Sequence, residues 1–364
     1  MTDSQLVVPA TSVEGTGLPR PAADAASPTV RDTLRSSRKG TYWQAGGWGV
    51  LAACGFGAPW VIGLYELQLA VQAVTMGVLA LSIGWMLRQT GQLSFGHAAF
   101  YGIAGYATAY AGMHWELPLP VVLLFGQAAG TGAALVVALF TVRVPGIAFA
   151  MLTLAIGMLA WVAGGHLRDI TNGVNGLSVT LEGDLLGQPV GMYIDPVQSW
   201  PLVWGTLMLV VAGLWAVSRT PYGRRLAAIR ENEERVRFSG YGTYLPRVLA
   251  FTISGLVASL AGTLNLLSTS FISLDTLYWS TSGLALIAAV IGGTRSVLGP
   301  PAGAVAFVLL QNYLTDVGNH YQAVLGTALI LVVLVAPGGG AELVARGRDR
   351  VRRRLLGAKG ATHA

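Results

Sequence analysis

The side chains of this 364-residue chain best equipped for polar work lie in one run, RTPYGRRLAAIRENEERVRFSGYGTYLPR, from Arg219 to Arg247, set between long apolar stretches. Its spacing predicts a helix. Thr220 is a capping type, Pro221 follows where its missing N–H costs nothing, and Ser239-Gly240 supplies a stop. On one continuous helix, Glu231 and Glu233 precede Arg235 and Arg237 by four residues, the favourable order for ion pairs. Leu226, Ile229 and Val236 then fall on one face, so the segment can press an apolar stripe on a partner while its charges stay in water. A solvated connector and a helix lying on anionic lipid share these features and stand beside the docking reading.

Within the apolar stretches polar groups are sparse. Ser94, Gly96 and His97 in one glycine-studded run and Asn265 in another are candidates for a translocation path, with Gln311 and Asn312 further on. For His97 the alternative is a hydrogen bond to a neighbouring helix. No Asp, Glu, Lys or Arg sits well inside these stretches, the nearest being Asp316 at an end. Ion-coupled carriers generally keep ionisable groups there, at about 2.5–3.5 kcal/mol each, because the function needs them. The chain has no GxxxxGK[ST] phosphate loop, no HExxH, no GxSxG and no paired CxxC. We therefore expect no catalytic residues, no metal site, no cofactor of its own and no ATP hydrolysis by the phosphate-loop route. Cys54 is the only cysteine, which rules out a disulfide framework. In TNGVNGLSV the Asn-Gly steps at Asn172, Gly173, Asn175 and Gly176 signal turns, either as an exterior contact surface or as an ordinary connector.

The elements that carry these residues follow from composition. With 53% hydrophobic and 11% charged residues, the chain departs from soluble domains, in which about 25% are charged. It reads as an all-α, polytopic helical membrane protein of about ten transmembrane spans, some short or broken. The spans are expected near 44–64, 66–87, 92–112, 118–140, 144–163, 201–217, 248–268, 281–294, 297–316 and 321–336. The stretch 281–294 is short and 92–112 carries many Gly, Ser and His. Such segments are where transporter helices break and line a cavity, or they are tilted and tightly packed helices. Gly126/Gly130 and Gly299/Gly303 have small-xxx-small spacing, suited to close helix contact.

If both termini are cytoplasmic and the spans alternate, all 23 basic residues but Arg168 fall inside. The expected plan is a cytoplasmic tail at 1–43 with a basic edge, a transmembrane domain at 44–340, and a basic cytoplasmic tail at 341–364. Within the domain, 218–247 faces the cytoplasm and 164–200 the exterior. The +6 charge is explained by this orientation; nucleic acid is not an expected partner, because the basic residues sit at chain ends and in short loops.

Seven motifs in order carry a resemblance: GQLSFGHAAFYGIAGYATA (Gly91–Ala109), RVPGIAFAMLTLAIGML (Arg143–Leu159), TNGVNGL (Thr171–Leu177), YGRRLAAIRENEERVRFSGY (Tyr222–Tyr241), RVLAFTISGLVASLAGTL (Arg247–Leu264), IGGTRSVLGPPAGA (Ile291–Ala304) and APGGG (Ala336–Gly340). Over about residues 45–340 the chain resembles the permease subunits of branched-chain amino-acid ABC importers, in their LivM-like branch. The resemblance implies a bacterial inner-membrane importer that pairs this chain with a second, LivH-like permease, two cytoplasmic ATPase subunits and an extracytoplasmic substrate-binding protein, moving a small-molecule solute. ATP would be used by the partner subunits. It further implies that Gly223, Arg225, Ala228, Arg230, Glu231 and Asn232 form the ATPase-coupling loop, Gly223 for close approach and Arg230 and Glu231 for docking pairs. Relatives of this group also handle urea and short amides; permeases for sugars or nucleosides, and a stand-alone carrier or channel, are the other readings of the apolar pattern.

Overall fold

A computed structural model describes residues 55–185, 187–294, 296–315 and 326–327. Both expected tails, most of the first and last expected spans, Cys54, Arg295, Asp316 and the APGGG motif lie outside the described residues.

Eight helices of 14 to 27 residues coincide with the second to ninth expected spans. They are α1 (Leu64–Thr90), α2 (His97–His114), α3 (Leu119–Thr141), α4 (Gly146–His166), α6 (Pro196–Arg219), α9 (Tyr244–Thr269), α10 (Trp279–Gly292) and α11 (Gly299–Thr315). Three shorter helices lie between them: α5 (Arg168–Thr171), α7 (Pro221–Glu231) and α8 (Glu233–Phe238). Five of the eight, α1, α3, α4, α6 and α9, are long and apolar enough to cross a membrane. α1 has no single apolar stripe because most of its length is packed against α6, α9, α10 and α11. α3, α4 and α6 bury one narrow face and present Leu124, Phe140, Met151, Leu159 and Leu209 outward. Such surfaces suit hydrocarbon.

Both small-xxx-small pairs lie at helix contacts. A Cβ on Gly130 would come 2.9 Å from the Phe100 carbonyl oxygen, and one on Gly303 would collide with the Ala288 carbonyl and lie 2.8 Å from Gly292 Cα. α10 and α11 therefore touch backbone to backbone.

The stretch expected as a helix from 92 is not helical until His97. Gly91 ends α1 in the left-handed region at φ 72°, its N–H making the last helical bond to Leu87 O, and residues 92–96 run back into the bundle as irregular backbone. Their N–H groups are met by side chains: Phe95 N donates to Thr153 Oγ1 (3.2 Å), Gly96 N to Ser94 Oγ (3.3 Å), and Ala98 N, in the first turn of α2, to Ser282 Oγ (2.7 Å). Irregular backbone at membrane depth is tolerated only where protein satisfies it in this way.

The segment between α4 and α6, expected as a turn-containing loop, is an ordered cap. β1 (Leu177–Ser178) pairs antiparallel with β4 (Phe271–Ile272), Leu177 opposite Ile272, and β2 (Asp184–Leu185) with β3 (Gln188–Pro189). Beneath them Val179, Leu181, Val190, Leu266, Ile272 and Leu274 form an apolar cluster with Tyr106 and Leu119. The ends of the helices segregate as alternate crossing requires. Residues 85–91, 139–143, 218–233 and 243–247 meet at one end, as in the Tyr244 hydroxyl's bond to Leu139 O (2.8 Å), and 114–119, 166–196 and 270–278 at the other.

Candidate coupling site and solute cavity

α7 begins as its sequence predicts. Thr220 Oγ1 accepts from Gly223 N at 3.3 Å, and Pro221 occupies the first helical position. Leu226 and Ile229, 0% and 2% exposed, face the bundle; burying two such side chains contributes roughly 1.5–3 kcal/mol each. Gly223 makes this seat feasible: a Cβ there would lie 2.5 Å from Ser218 O and 2.6 Å from Val217 O at the end of α6. The opposite face exposes Arg224, Arg225, Ala227, Ala228 and Glu231.

The expected single helix is instead two. Asn232 stands extended at φ −158°, ψ 101° and its Oδ1 accepts from Arg235 N (2.9 Å), capping α8. Asn is among the best N-caps, and the two glutamates behind it favour a helix N-terminus, so a fresh helix start outcompetes continuation. The break takes Glu231 out of line with Arg235, and no such pair forms among the described residues. Glu233 keeps its expected partner, Arg237 Nη2 at 2.9 Å. Val236 is half-buried on α8, off the Leu226–Ile229 face, and Gly240 at φ 81° ends the segment as expected.

Three clamps hold this element to the bundle. Arg230 Nη1 donates to Arg88 O (2.6 Å), one of the orphan carbonyls at the C-terminus of α1, with the side-chain stem lying over Gly91. The Tyr222 hydroxyl donates to Pro246 O (2.7 Å), and burial pushes its phenol pKa upward. Glu233 is the third: besides Arg237 it accepts from Thr243 Oγ1 (2.9 Å) and from Arg247 Nη2 (2.6 Å), at the foot of α9. Burial acts to raise this carboxyl, but the Thr243 hydroxyl and the Arg247 and Arg237 guanidiniums outweigh it and hold the pKa below the usual carboxylate range. Arg225 lies over the Tyr241 ring at 5.3 Å.

His97 is 0% exposed, with Nε2 2.7 Å from Ser254 Oγ and Nδ1 3.0 Å from Ser94 Oγ. The Ser254 hydroxyl donates to Ser82 O (2.7 Å), so it accepts from His97 Nε2–H; in the neutral ring Nδ1 then accepts from the Ser94 hydroxyl. This node ties α2 to α9 and α1, between the Phe100 and Phe251 rings.

Ser94, Gly96 and His97 are not part of the cavity that Asn265 lines. That cavity, about 440 Å³, lies among α1, α2, α9, α10 and α11, and its polar lining is Gln72, Thr75, Tyr101, Asn265, Thr281, Gln311 and Asn312. At the cap end, Asn172 (φ 55°), Gly173 (φ 61°) and Gly176 (φ 71°) adopt the left-handed conformations that Asn-Gly steps favour, and Asn172 Nδ2 donates to Gly176 O (2.9 Å). Asn172 and Asn175 face outward.

The sequence model of the family described as branched-chain amino acid transport system / permease component matches residues 65–334. The chain belongs to this family. It is 27% identical over 305 residues to the high-affinity branched-chain amino acid transport system permease protein LivM of Salmonella typhimurium, covering 77% of this chain and 71% of the relative. Over shorter stretches it is 31% identical to the autoinducer 2 import system permease protein LsrC of an Enterobacter species, covering 55% of each chain. It is 30% identical to the ribose import permease protein RbsC of Haemophilus influenzae, covering 61% of this chain and 69% of the relative. No solved structure gives a significant match. The permease is thus a multi-pass protein of the bacterial inner membrane, from a family of transporter subunits and not of enzymes.

Thr243 and Arg247 of the Glu233 clamp, and Gln72, Tyr101 and Thr281 of the cavity, carry no sequence signal of their own. Only the packing of the permease brings them to their partners.

Proposed function

We propose that the permease is the membrane subunit of an ABC importer that moves branched-chain amino acids, or small amino acids like them, into the cytoplasm. Two cytoplasmic ATPase subunits supply the energy, an extracytoplasmic binding protein delivers the solute, and a second, LivH-like permease completes the membrane part. Residues 218–247 face the cytoplasm, as do both termini, and 164–200 face outward, where Asn172, Gly173, Asn175 and Gly176 offer a contact turn. The observation that carries this reading is α7: a short helix sealed to the bundle on one face and clamped near both its ends, with Ala228 and Glu231 left free to seat in a partner. Gly223, Arg230 and Asn232 shape and hold this element, while Arg225, Ala228 and Glu231 meet the ATPase.

The test is ATP-driven uptake of L-leucine by the assembled complex in vesicles. Ala228→Arg adds bulk on the outer face alone, so uptake falls at least tenfold while the subunit stays inserted; undiminished uptake refutes the assignment. The LsrC and RbsC similarities favour a second reading, a permease for sugars, with urea, short amides and nucleosides as further cargo. Identifying the ligand of the cognate binding protein separates these. Solute flux by the purified chain without ATPase subunits would instead make it a stand-alone carrier or channel.

A further inference from the structure

We propose that the cavity among α1, α2, α9, α10 and α11 is a transit chamber in which the carboxamides of Gln72, Asn265, Gln311 and Asn312 read the polar ends of a small solute with no net charge. This rests on the importer reading above and adds a place and a chemistry to it.

Its volume of about 440 Å³ falls within the roughly 300–1,000 Å³ usual for small-molecule sites. Four carboxamides from three helices converge there, while the buried polar residues elsewhere in the bundle are mostly Ser and Thr. A carboxamide carries two donors and an acceptor; Asn312 Oδ1 already accepts from Tyr65, so the Asn312 amide N–H groups, with Gln72 and Asn265, can meet a carboxylate and an ammonium, or hydroxyls, on one molecule. Among the described residues, no Asp, Glu, Lys or Arg lines the chamber. An ion of either sign would lose its water there without gaining a counter-charge, whereas a net-neutral solute exchanges hydrogen bonds. The same lack of fixed charge keeps occupancy weak, as transit requires.

The floor is closed. Leu79 and Tyr101 sit at the deep end, one turn from Ser82 and His97, whose bonds to Ser254 fill the next layer without exposure. The mouth lies at the cap end: Tyr65, exposed at the start of α1, donates to Asn312 Oδ1 (2.9 Å). Gln72 is exposed along the open side, and a carboxamide there is stable against water or a polar surface and not against lipid tails.

Two measurements test this on the assembled complex. In a Cys54→Ala background, Gln72→Cys and Asn265→Cys should react with a polar, membrane-impermeant thiol reagent added from the binding-protein side, and Leu209→Cys on the outer face of α6 should not. Unreactive Asn265→Cys overturns the chamber. In uptake, Asn265→Leu with Gln311→Leu should slow ATP-driven L-leucine transport about tenfold or more, since one lost solute hydrogen bond is worth about that factor. The ATPase rate evoked by loaded binding protein should persist, and Asn265→Gln should recover most of the transport. Wild-type transport by the double variant overturns the proposal. Absence of ATP-driven leucine uptake in the wild type refutes the amino-acid cargo alone, and the labelling arm still decides whether the chamber admits polar solutes.

Discussion

Glu233→Gln should loosen the coupling element at its third clamp, and the size of the effect follows from what Glu233 holds. Its carboxylate accepts from Arg237, Thr243 and Arg247, at 2.9, 2.9 and 2.6 Å. Fully exposed ion pairs contribute about 0–1 kcal/mol, and breaking a fully buried one costs about 3–5 kcal/mol. The Arg247 and Glu233 side chains are 12% and 23% exposed, which places this pair between the limits, at about 2 kcal/mol. The loss is weighted toward Arg247, whose Nε is already buried without a partner, so removing the carboxylate leaves the guanidinium poorly compensated. The assay is thermal unfolding of the purified subunit in detergent at pH 7, run as a double-mutant cycle with Arg247→Met. A coupling energy of about 1–2 kcal/mol is expected, and one below about 0.5 kcal/mol refutes the clamp. The pH dependence has a definite sign. Because the folded pKa is depressed, the stabilisation is fully present above the unfolded value of about 4.5 and is lost as the pH falls through the lower, folded value. Glu233→Gln should abolish that acid-side loss.

Two further outcomes follow from the packing. Gly303→Val should cost about 3 kcal/mol or more, or prevent assembly, because its Cβ meets backbone of α10, while Gly132→Ala, with nothing within 4 Å of the added carbon, should be neutral in the same melting experiment. Thr220→Ala should cost about 0.5–1 kcal/mol, the low end for a lost cap given the 3.3 Å bond, and should speed amide exchange across the first turn of α7; unchanged exchange would show that packing alone holds the turn.

The helices were legible because membrane-scale apolar runs are an additive, local signal: the second to ninth expected spans all appear as helices. Local chemistry was equally readable at Thr220, at Gly240 and in the Asn-Gly turn at 172–176. What failed needed competition between local options or distant partners. Asn232 carried the mark of a helix start, a capping residue followed by two acids, but the charge pattern running through it favoured one continuous helix. Leu177, Val179 and Leu181 alternate with Ser178 and Thr180, a strand signal too short to register in a chain dominated by helical runs. The entry at 91–96 stays unwound because Thr153 and Ser282 arrive from other helices, and the cavity draws its walls from residues between Leu69 and Asn312. No single window of sequence contains either.

The clamps and the cavity share their load-carrying helices. Arg230 joins the outer end of α7 to α1, and Tyr222 and Glu233 join its two flanks to α9. α1 and α9 are also the most buried long helices and supply facing walls of the cavity, through Gln72 and Thr75 on one side and Asn265 on the other. Between clamp and cavity, the two helices are bonded to each other at one level, where Ser254 of α9 donates to Ser82 O of α1 and accepts from His97. In the proposed importer, a partner pulling on α7 would bear on the lower ends of both helices at once. The serine–histidine level is buried and hydrogen-bonded across both helices, so in that importer relative movement would pivot there and appear beyond it as a change in the width of the cavity. Cutting the pivot with Ser254→Ala should therefore leave solute access to Asn265 intact while weakening its dependence on ATP; if thiol labelling at that position keeps its full ATP dependence, the movement travels by another route.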